Sequence, residues 1–257
     1  MEIRVLGAHN VESATTRLTS LLFDGVLAVD AGAITSSLTL PEQEKLGSIL
    51  LTHCHFDHVK DVAAIALNIS HYQKTVLVYS QASTLQAVSE HILNGVIYPD
   101  FAEIRTPDTP PIRYCPLEPY KTVDVNDYSV LALPVTHAVP AVAYQVTSRD
   151  SKSVFFSGDA GPGVSKCWEY VSPQFLFMDV TLPDRLEEHA LSSGHLTPRL
   201  LGAELALFRK ARGYLPPVAA IHIGPIFEEE IRKELERVSR ELGASISASY
   251  EGMTVTL

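Results

Sequence analysis

The chain has 257 residues, 46% of them hydrophobic and 19% charged, with a formal net charge of −10 from 20 basic and 30 acidic side chains. That length supports one large core, expected to span residues 1–257 as a single domain. The acidic balance disfavours large nucleic-acid partners, which need a positive surface to displace counterions. No apolar run approaches the roughly 20 residues that a membrane-spanning helix requires.

In chain order, the first segment Met1–Gly7 reads as a strand running into a glycine turn, without the basic and apolar stretches of a secretory leader. Cys54, Cys115 and Cys167 are an odd, scattered set unsuited to a disulfide framework, and the two observations together point to the cytoplasm. Apolar runs predict strands at Ile3–Leu6, Thr19–Phe23, Val26–Val29, Ser48–Leu51 and Thr75–Tyr79, with helices at Val59–Asn68 and Thr84–Leu93. The turn-rich run Thr106–Pro111 reads as a loop rather than a linker. Beyond it, strands are predicted at Ser129–Pro134, Ala141–Val146, Ser153–Phe156, Phe175–Val180, Val218–His222 and Gly252–Thr256. Helices are predicted at Pro198–Arg209 and Glu228–Leu242. Strands interspersed with helices in both halves imply an α+β fold, two sheets packed face to face with helices outside.

The segment Thr52-His53-Cys54-His55-Phe56-Asp57-His58 follows the apolar strand Ile49-Leu50-Leu51 and precedes a helix expected near Val59. Three imidazoles and a carboxylate on such a turn offer the donors that zinc, manganese or iron accept. Further ligands are expected at the ends of later apolar runs, where a rigid edge would gather them. His137 follows Val130–Thr136, Asp159 follows Val154–Gly158, and His222 follows Val218–Ile221. Cys54, between two ligands, reads as packing, and so do Tyr98 and Phe101. His9 is left open, while His71, His91 and His189 read as ordinary histidines.

The order His-x-His-x-Asp-His, then His, then Asp, then His resembles the metallo-β-lactamase superfamily across nearly the whole chain. The resemblance implies an αββα sandwich of two packed mixed sheets. It also implies two divalent metal ions, most often zinc, with manganese or iron as alternatives. His53, His55 and His137 would hold one, Asp57, His58 and His222 the other, with Asp159 bridging. Asp57 counts among the catalytic groups as well as the ligands.

Ser193-Gly194-His195-Leu196-Thr197-Pro198 narrows the chemistry. Thr197 is a good N-cap and Pro198 suits the first helical turn, so His195 lies beside a helix N-terminus that favours anions. Gly-His-Leu-Thr-Pro after an acidic strand end resembles class II cyclic-nucleotide phosphodiesterases and their bacterial relatives. So do Ile97–Phe101, Phe156–Asp159, Ile221–Ile223 and Tyr250–Thr254. This branch implies a small anionic phosphodiester substrate, a 3′,5′-cyclic nucleotide, attacked by a hydroxide bridging the metals. His195 would be the general acid and Asp179 its orienting partner. Three positions depart from the pattern: Asp179 stands where relatives carry Glu, Gly224 where they often carry Lys, and Gly7–Asn10 lacks a glycine pair. Alternative readings are an RNA 3′-end-processing phosphodiesterase, a lactonase or thioesterase, and, in another class, a di-iron redox protein. Oligomeric state, a homodimer included, stays open.

Overall fold

Successive side chains of a strand point to opposite faces, and in this chain both faces of the central strands are apolar. Along Phe175–Asp179, for example, Phe175 and Phe177 enter one hydrophobic cluster while Leu176 and Met178 enter another. Such strands must be covered on both sides, which dictates layers. The computed structural model describes residues 1–104 and 109–257, so Thr106, Pro107 and Asp108 of the turn-rich run lie outside the described residues.

The first half consists of β1 (Glu2–Gly7), β2 (Ser20–Phe23), β3 (Leu27–Val29), α1 (Ile34–Ser37), α2 (Leu40–Lys45), β4 (Ser48–Leu50), α3 (Phe56–Ser70), β5 (Val76–Ser80), α4 (Ala82–His91) and β6 (Ile112–Pro116). The second comprises β7 (Thr122–Val125), β8 (Tyr128–Val135), β9 (Ala141–Ser148), β10 (Ser153–Phe156), β11 (Phe175–Asp179), α5 (Glu187–Ser193), α6 (Pro198–Arg212), β12 (Val218–Ile221), α7 (Glu228–Leu242), β13 (Ile246–Ala248) and β14 (Thr254–Thr256). They form two seven-stranded mixed sheets, ordered β14-β1-β2-β3-β4-β5-β6 and β13-β12-β11-β10-β9-β8-β7. The first pairs antiparallel from β14 to β3 and parallel from β3 to β6. The second is antiparallel from β7 to β10 and parallel from β10 to β13.

The inner core is shared by the two sheets, with Val5, Phe23, Val29 and Leu50 from one and Val130, Tyr144, Phe156 and Ile221 from the other. Outside the first sheet, Val59, Val62, Ile65 and Ile69 of α3 pack on Ile49 and Val78. Outside the second, Leu201, Leu205 and Phe208 of α6 and Ile231 and Leu235 of α7 pack with Trp168 on Phe155 and Met178. The architecture is the metallo-β-lactamase αββα sandwich. No helix among the described residues is long and apolar enough to cross a membrane.

Strand polarity fixes where the chemistry gathers. Because β9 runs antiparallel to both β8 and β10, the strands β8, β10, β11 and β12 share one direction and end on one edge. Ligands in open mixed α/β sheets collect beyond such strand ends. Two cross-sheet bonds tie the first sheet to this edge: Val142 N–H donates to the Thr52 carbonyl (3.0 Å), and the Tyr144 hydroxyl to the Leu51 carbonyl (2.8 Å).

The strands missed by sequence patterning, β6, β7 and β13, all lie at sheet edges. Edge strands have an open flank and carry mixed residues such as Ile112-Arg113-Tyr114-Cys115-Pro116; pairing rather than periodicity creates them. The helix expected near Val59 begins at Phe56, with His55 as an extended N-cap (φ −62°, ψ 145°). Asp57 and His58 therefore sit in its first turn, not on the turn before it. The helices α1, α2 and α5 are too short to show a helical period.

Candidate metal centre

All seven histidines and aspartates singled out as ligands come together beyond those strand ends. His53, His55, His137 and Asp159 form one group, and Asp57, His58, His222 and Asp159 another, with every donor atom within 4.8 Å of the others in its group. Asp159 belongs to both. Its Oδ2 lies 3.6 Å from His53 Nε2, 3.8 Å from His137 Nε2 and 3.4 Å from His222 Nε2, and its Oδ1 lies 3.2 Å from His58 Nε2. Asp57 Oδ2 is 3.2 Å from His222 Nε2 and 3.5 Å from His58 Nε2.

The backbone is shaped for this convergence. Gly158 has φ +58°, and a Cβ there would meet Thr52 Cβ and Cγ2 at 2.9 Å, so only glycine delivers Asp159 to the centre. His222 itself takes φ +64°, and Asp30 φ +58°, left-handed conformations uncommon for side-chain-bearing residues and typical of functional turns.

The hydrogen bonds around the cluster decide which ring nitrogens face inward. His58 Nδ1 donates to Asp30 Oδ2 at 2.7 Å, and His137 Nδ1 to the Gly194 carbonyl at 3.0 Å. The Thr52 hydroxyl donates its one proton to Asp30 (2.9 Å to Oδ2), leaving its oxygen to accept from His53 Nδ1 at 2.9 Å. His222 Nδ1 likewise donates to Thr181 Oγ1 at 2.8 Å. Four imidazoles thus carry a proton on Nδ1 and turn Nε2 toward the centre, while His55 presents Nδ1, 3.1 Å from His137 Nε2.

The donor set fits divalent metal ions. His53 Nε2, His58 Nε2 and Asp159 Oδ1 are buried and lack a protein hydrogen-bond partner. The last two approach to 3.2 Å without the alignment that a hydrogen bond needs. Orphaned buried polar atoms are costly and rare unless an ion satisfies them. Burial and the neighbouring imidazoles push the His53 ring well below its ordinary range, which favours the neutral, ligating form. Burial acts against charge on His58 too, but Asp159 and Asp30 outweigh it and raise the ring well above its usual value. Burial would lift Asp159, yet His222 and His58 reverse it and hold the carboxyl well below the usual range.

Beside the cluster stands an acid–histidine pair. His195 Nδ1 donates to Asp179 Oδ2 at 2.7 Å, so the shorter carboxylate reaches its partner. Burial pulls the His195 imidazole down, but the Asp179 charge and hydrogen bond raise it to about 9. The ring stacks on His222 with centroids 5.1 Å apart. Thr197 caps α6 by accepting from Leu200 N–H at 3.4 Å, with Pro198 in the first turn. A Cβ on Gly224 would meet the Thr181 carbonyl at 2.8 Å, which gives a steric reason for glycine at this position.

Sequence reading missed Asp30, Thr52 and Thr181, the residues that set the tautomers. Asp30 carried a signal like that of Asp159, a carboxylate just beyond a buried apolar strand. His9, left open, is buried and belongs to neither group, its Nδ1 2.6 Å from Glu251 and its Nε2 3.3 Å from Glu228. Phe101 lies in the core behind the first sheet with Tyr98 packed against it, and Cys54 is half-buried.

A family model for the beta-lactamase superfamily domain matches residues 19–223, which include every member of both groups. The chain belongs to the beta-lactamase superfamily. Within this fold lies a His/Asp cluster able to bind metal ions. A ribonuclease Z of Methanococcus maripaludis (strain S2) is 30% identical over 135 residues, 49% of this chain and 41% of the relative. A ribonuclease Z of Thermococcus onnurineus is 22% identical over 158 residues, 61% of this chain and 39% of the relative. The chain thus matches about two-fifths of the length of these curated relatives. Among solved structures, unliganded yeast PDE1 superposes with a TM-score of 0.84 at 17% identity, covering 100% of this chain and 99% of that one. The metallo-beta-lactamase fold protein YhfI of Bacillus subtilis gives 0.79 at 16%, covering 99% and 98%. Human tRNase Z, short form, gives 0.69 at 16%, covering 100% and 99%. At such identities these structures establish the fold.

Proposed function

We propose that the chain is a dinuclear phosphodiesterase acting on small phosphodiesters, with 3′,5′-cyclic nucleotides as its substrate class. The observation that carries this is the His195–Asp179 pair, 2.7 Å across, with its imidazole stacked on a histidine of the metal cluster. His53, His55 and His137 would hold one ion and Asp57, His58 and His222 the other, with Asp159 common to both. Two divalent ions held there would supply Lewis acidity and an activated water for displacement at phosphorus.

The chain's own residues do the rest. Asp179 fixes the Nδ1–H of His195, so the reacting nitrogen is Nε2. That ring retains 13% exposure, which leaves it open to substrate. Raised toward 9, it is protonated at neutral pH and gives its proton to the departing alkoxide. An alkoxide is a poor leaving group without that proton. The cleaved ribose oxygen is therefore the group that the pair suits.

A second reading, RNA 3′-end processing, is favoured by the two archaeal ribonuclease Z relatives. The balance of 20 basic against 30 acidic residues argues for the smaller anion. Zinc- or manganese-loaded protein should cleave 3′,5′-cyclic AMP, and His137→Ala should abolish cleavage. Cleavage of a precursor tRNA trailer with cyclic AMP intact would replace the first reading by the second. Cleavage of bis-p-nitrophenyl phosphate alone would keep the metal centre and discard both substrates.

A further inference from the structure

Thr181 lies two residues beyond β11, between the loop that carries His195 and the loop that carries His222. Its backbone is locked to both. The Thr181 N–H donates to the Leu196 carbonyl at 3.1 Å, next to His195, and its carbonyl accepts from Gly224 N–H at 3.1 Å, two residues past His222. The side chain, 3% exposed, makes the same connection a second time. Thr181 Oγ1 is 2.8 Å from Asp179 Oδ1, 2.8 Å from His222 Nδ1 and 3.2 Å from His195 Nδ1.

A hydroxyl has a single proton, and that determines the direction of these bonds. Ionised Asp179 can only accept, and no other donor to its Oδ1 is found among the described residues. The Thr181 proton therefore goes to Asp179. The oxygen is left to accept, and His222 Nδ1, at the shorter distance, must be the donor. His195 already gives its Nδ1 proton to Asp179 Oδ2, so its 3.2 Å approach to Thr181 is subsidiary. His222 thereby carries a proton on Nδ1, with Nε2 turned to Asp57 Oδ2 at 3.2 Å and Asp159 Oδ2 at 3.4 Å.

We propose that Thr181 is a positioning residue whose hydroxyl couples the His195–Asp179 acid pair to the metal-facing nitrogen of His222. The contrast with Thr52 defines the role. Thr52 makes the same donor–acceptor pattern, but it connects His53 with Asp30 and His58, all on the metal side. Thr181 bridges a metal-facing histidine and the acid pair to which the proposed reaction gives the proton transfer. Loss of its hydroxyl should disturb metal retention and proton delivery together, which neither His222 nor Asp179 alone predicts. The inference rests on the metal-centre reading proposed above, not on the identity of the nucleotide.

The test compares Thr181→Val, which keeps the shape, with Thr181→Ser, which keeps the hydroxyl. Zinc affinity is measured by chelator competition, and kcat and KM with bis-p-nitrophenyl phosphate and with methyl p-nitrobenzyl phosphate, whose leaving group is an alkoxide. Thr181→Val should weaken zinc binding about 10- to 100-fold, the usual range for a lost partner of a ligating histidine. At saturating zinc its kcat on the alkoxide diester should stay at least tenfold low with KM little changed, and more so than on the aryl diester. Thr181→Ser should restore both. Full recovery of kcat at saturating zinc would confine Thr181 to His222 and overturn the coupling. A serine variant as impaired as the valine one would assign the effect to the methyl group and overturn it too. Histidine 15N shifts read the tautomer without metal or substrate: wild type and Thr181→Ser should carry a proton on His222 Nδ1. A proton on Nε2 alone would refute the hydrogen-bond assignment even if Thr181→Val fails to fold. Wild-type protein that takes up no zinc would sink the metal-centre reading, while the tautomer measurement still decides the role of Thr181.

Discussion

Replacing Asp30 by Asn removes an acceptor that the site cannot replace. The carboxylate is fully buried and faces donors alone: Thr52 N–H at 2.8 Å and the Thr52 hydroxyl at 3.0 Å on Oδ1, the same hydroxyl at 2.9 Å and His58 Nδ1 at 2.7 Å on Oδ2. An amide offers one oxygen. With that oxygen toward His58, the amide N–H₂ confronts the Thr52 N–H. Turned the other way, it confronts His58, which must move its proton to Nε2 and so close the nitrogen that faces Asp159. A buried unpaired donor costs about 1–3 kcal/mol and a lost bond to a charged acceptor about 1.5–3 kcal/mol. The expected loss is about 3–5 kcal/mol, the range for breaking a buried pair. Trp168, the sole tryptophan, is buried between Phe155 and Phe208 and reports unfolding by fluorescence. In chelator-treated protein the urea midpoint should fall by about 1–2 M at a slope of about 2–3 kcal/mol/M. Zinc affinity should fall by about 10- to 100-fold. A midpoint and a chelator titration both at wild-type values would refute the donor count, and with it the claim that Asp30 sets the His58 tautomer.

Gly158→Ala should cost about 1–2 kcal/mol for the left-handed backbone and about 1–3 kcal/mol for the clash with Thr52. An unchanged Tm would show that the turn can relax. The proton-donor role of His195 has a pH signature. Its acid form is present below about 9 and is lost as pH rises through that value, so turnover of an alkoxide diester should fall on the alkaline side. Bound cations shift that limb to lower pH, and Asp179→Asn should shift it lower still, because the charge that raises the ring is gone. A limb unmoved by Asp179→Asn would place the proton donor elsewhere. Zinc at about 100 times its Kd should add about 2.7 kcal/mol to stability through binding to the folded state alone, and a chelator should remove it. Identical unfolding curves with and without zinc would mean that the folded protein holds none.

The sequence by itself determined what depends on local order. His53–His58 is compact enough to read directly, and apolar runs ending in His137, Asp159 and His222 mark strand ends because β10 and β12 are buried on both faces and β8 on one face and partly on the other. α7 was legible to the residue, since its period is long and one-sided and Gly243 ends it. What the sequence left undetermined depends on contacts between distant segments. The edge strands β6, β7 and β13 exist because a neighbour pairs with them, and their own residues are mixed or, in β7, alternate over only four positions. Thr52 and Thr181 look like ordinary polar residues until the fold brings Asp30 to within 2.9 Å of one and His222 to within 2.8 Å of the other. A single hydroxyl proton then fixes which nitrogen of each imidazole faces the centre. That assignment is a property of three-dimensional hydrogen bonding, and no spacing of residues along the chain encodes it.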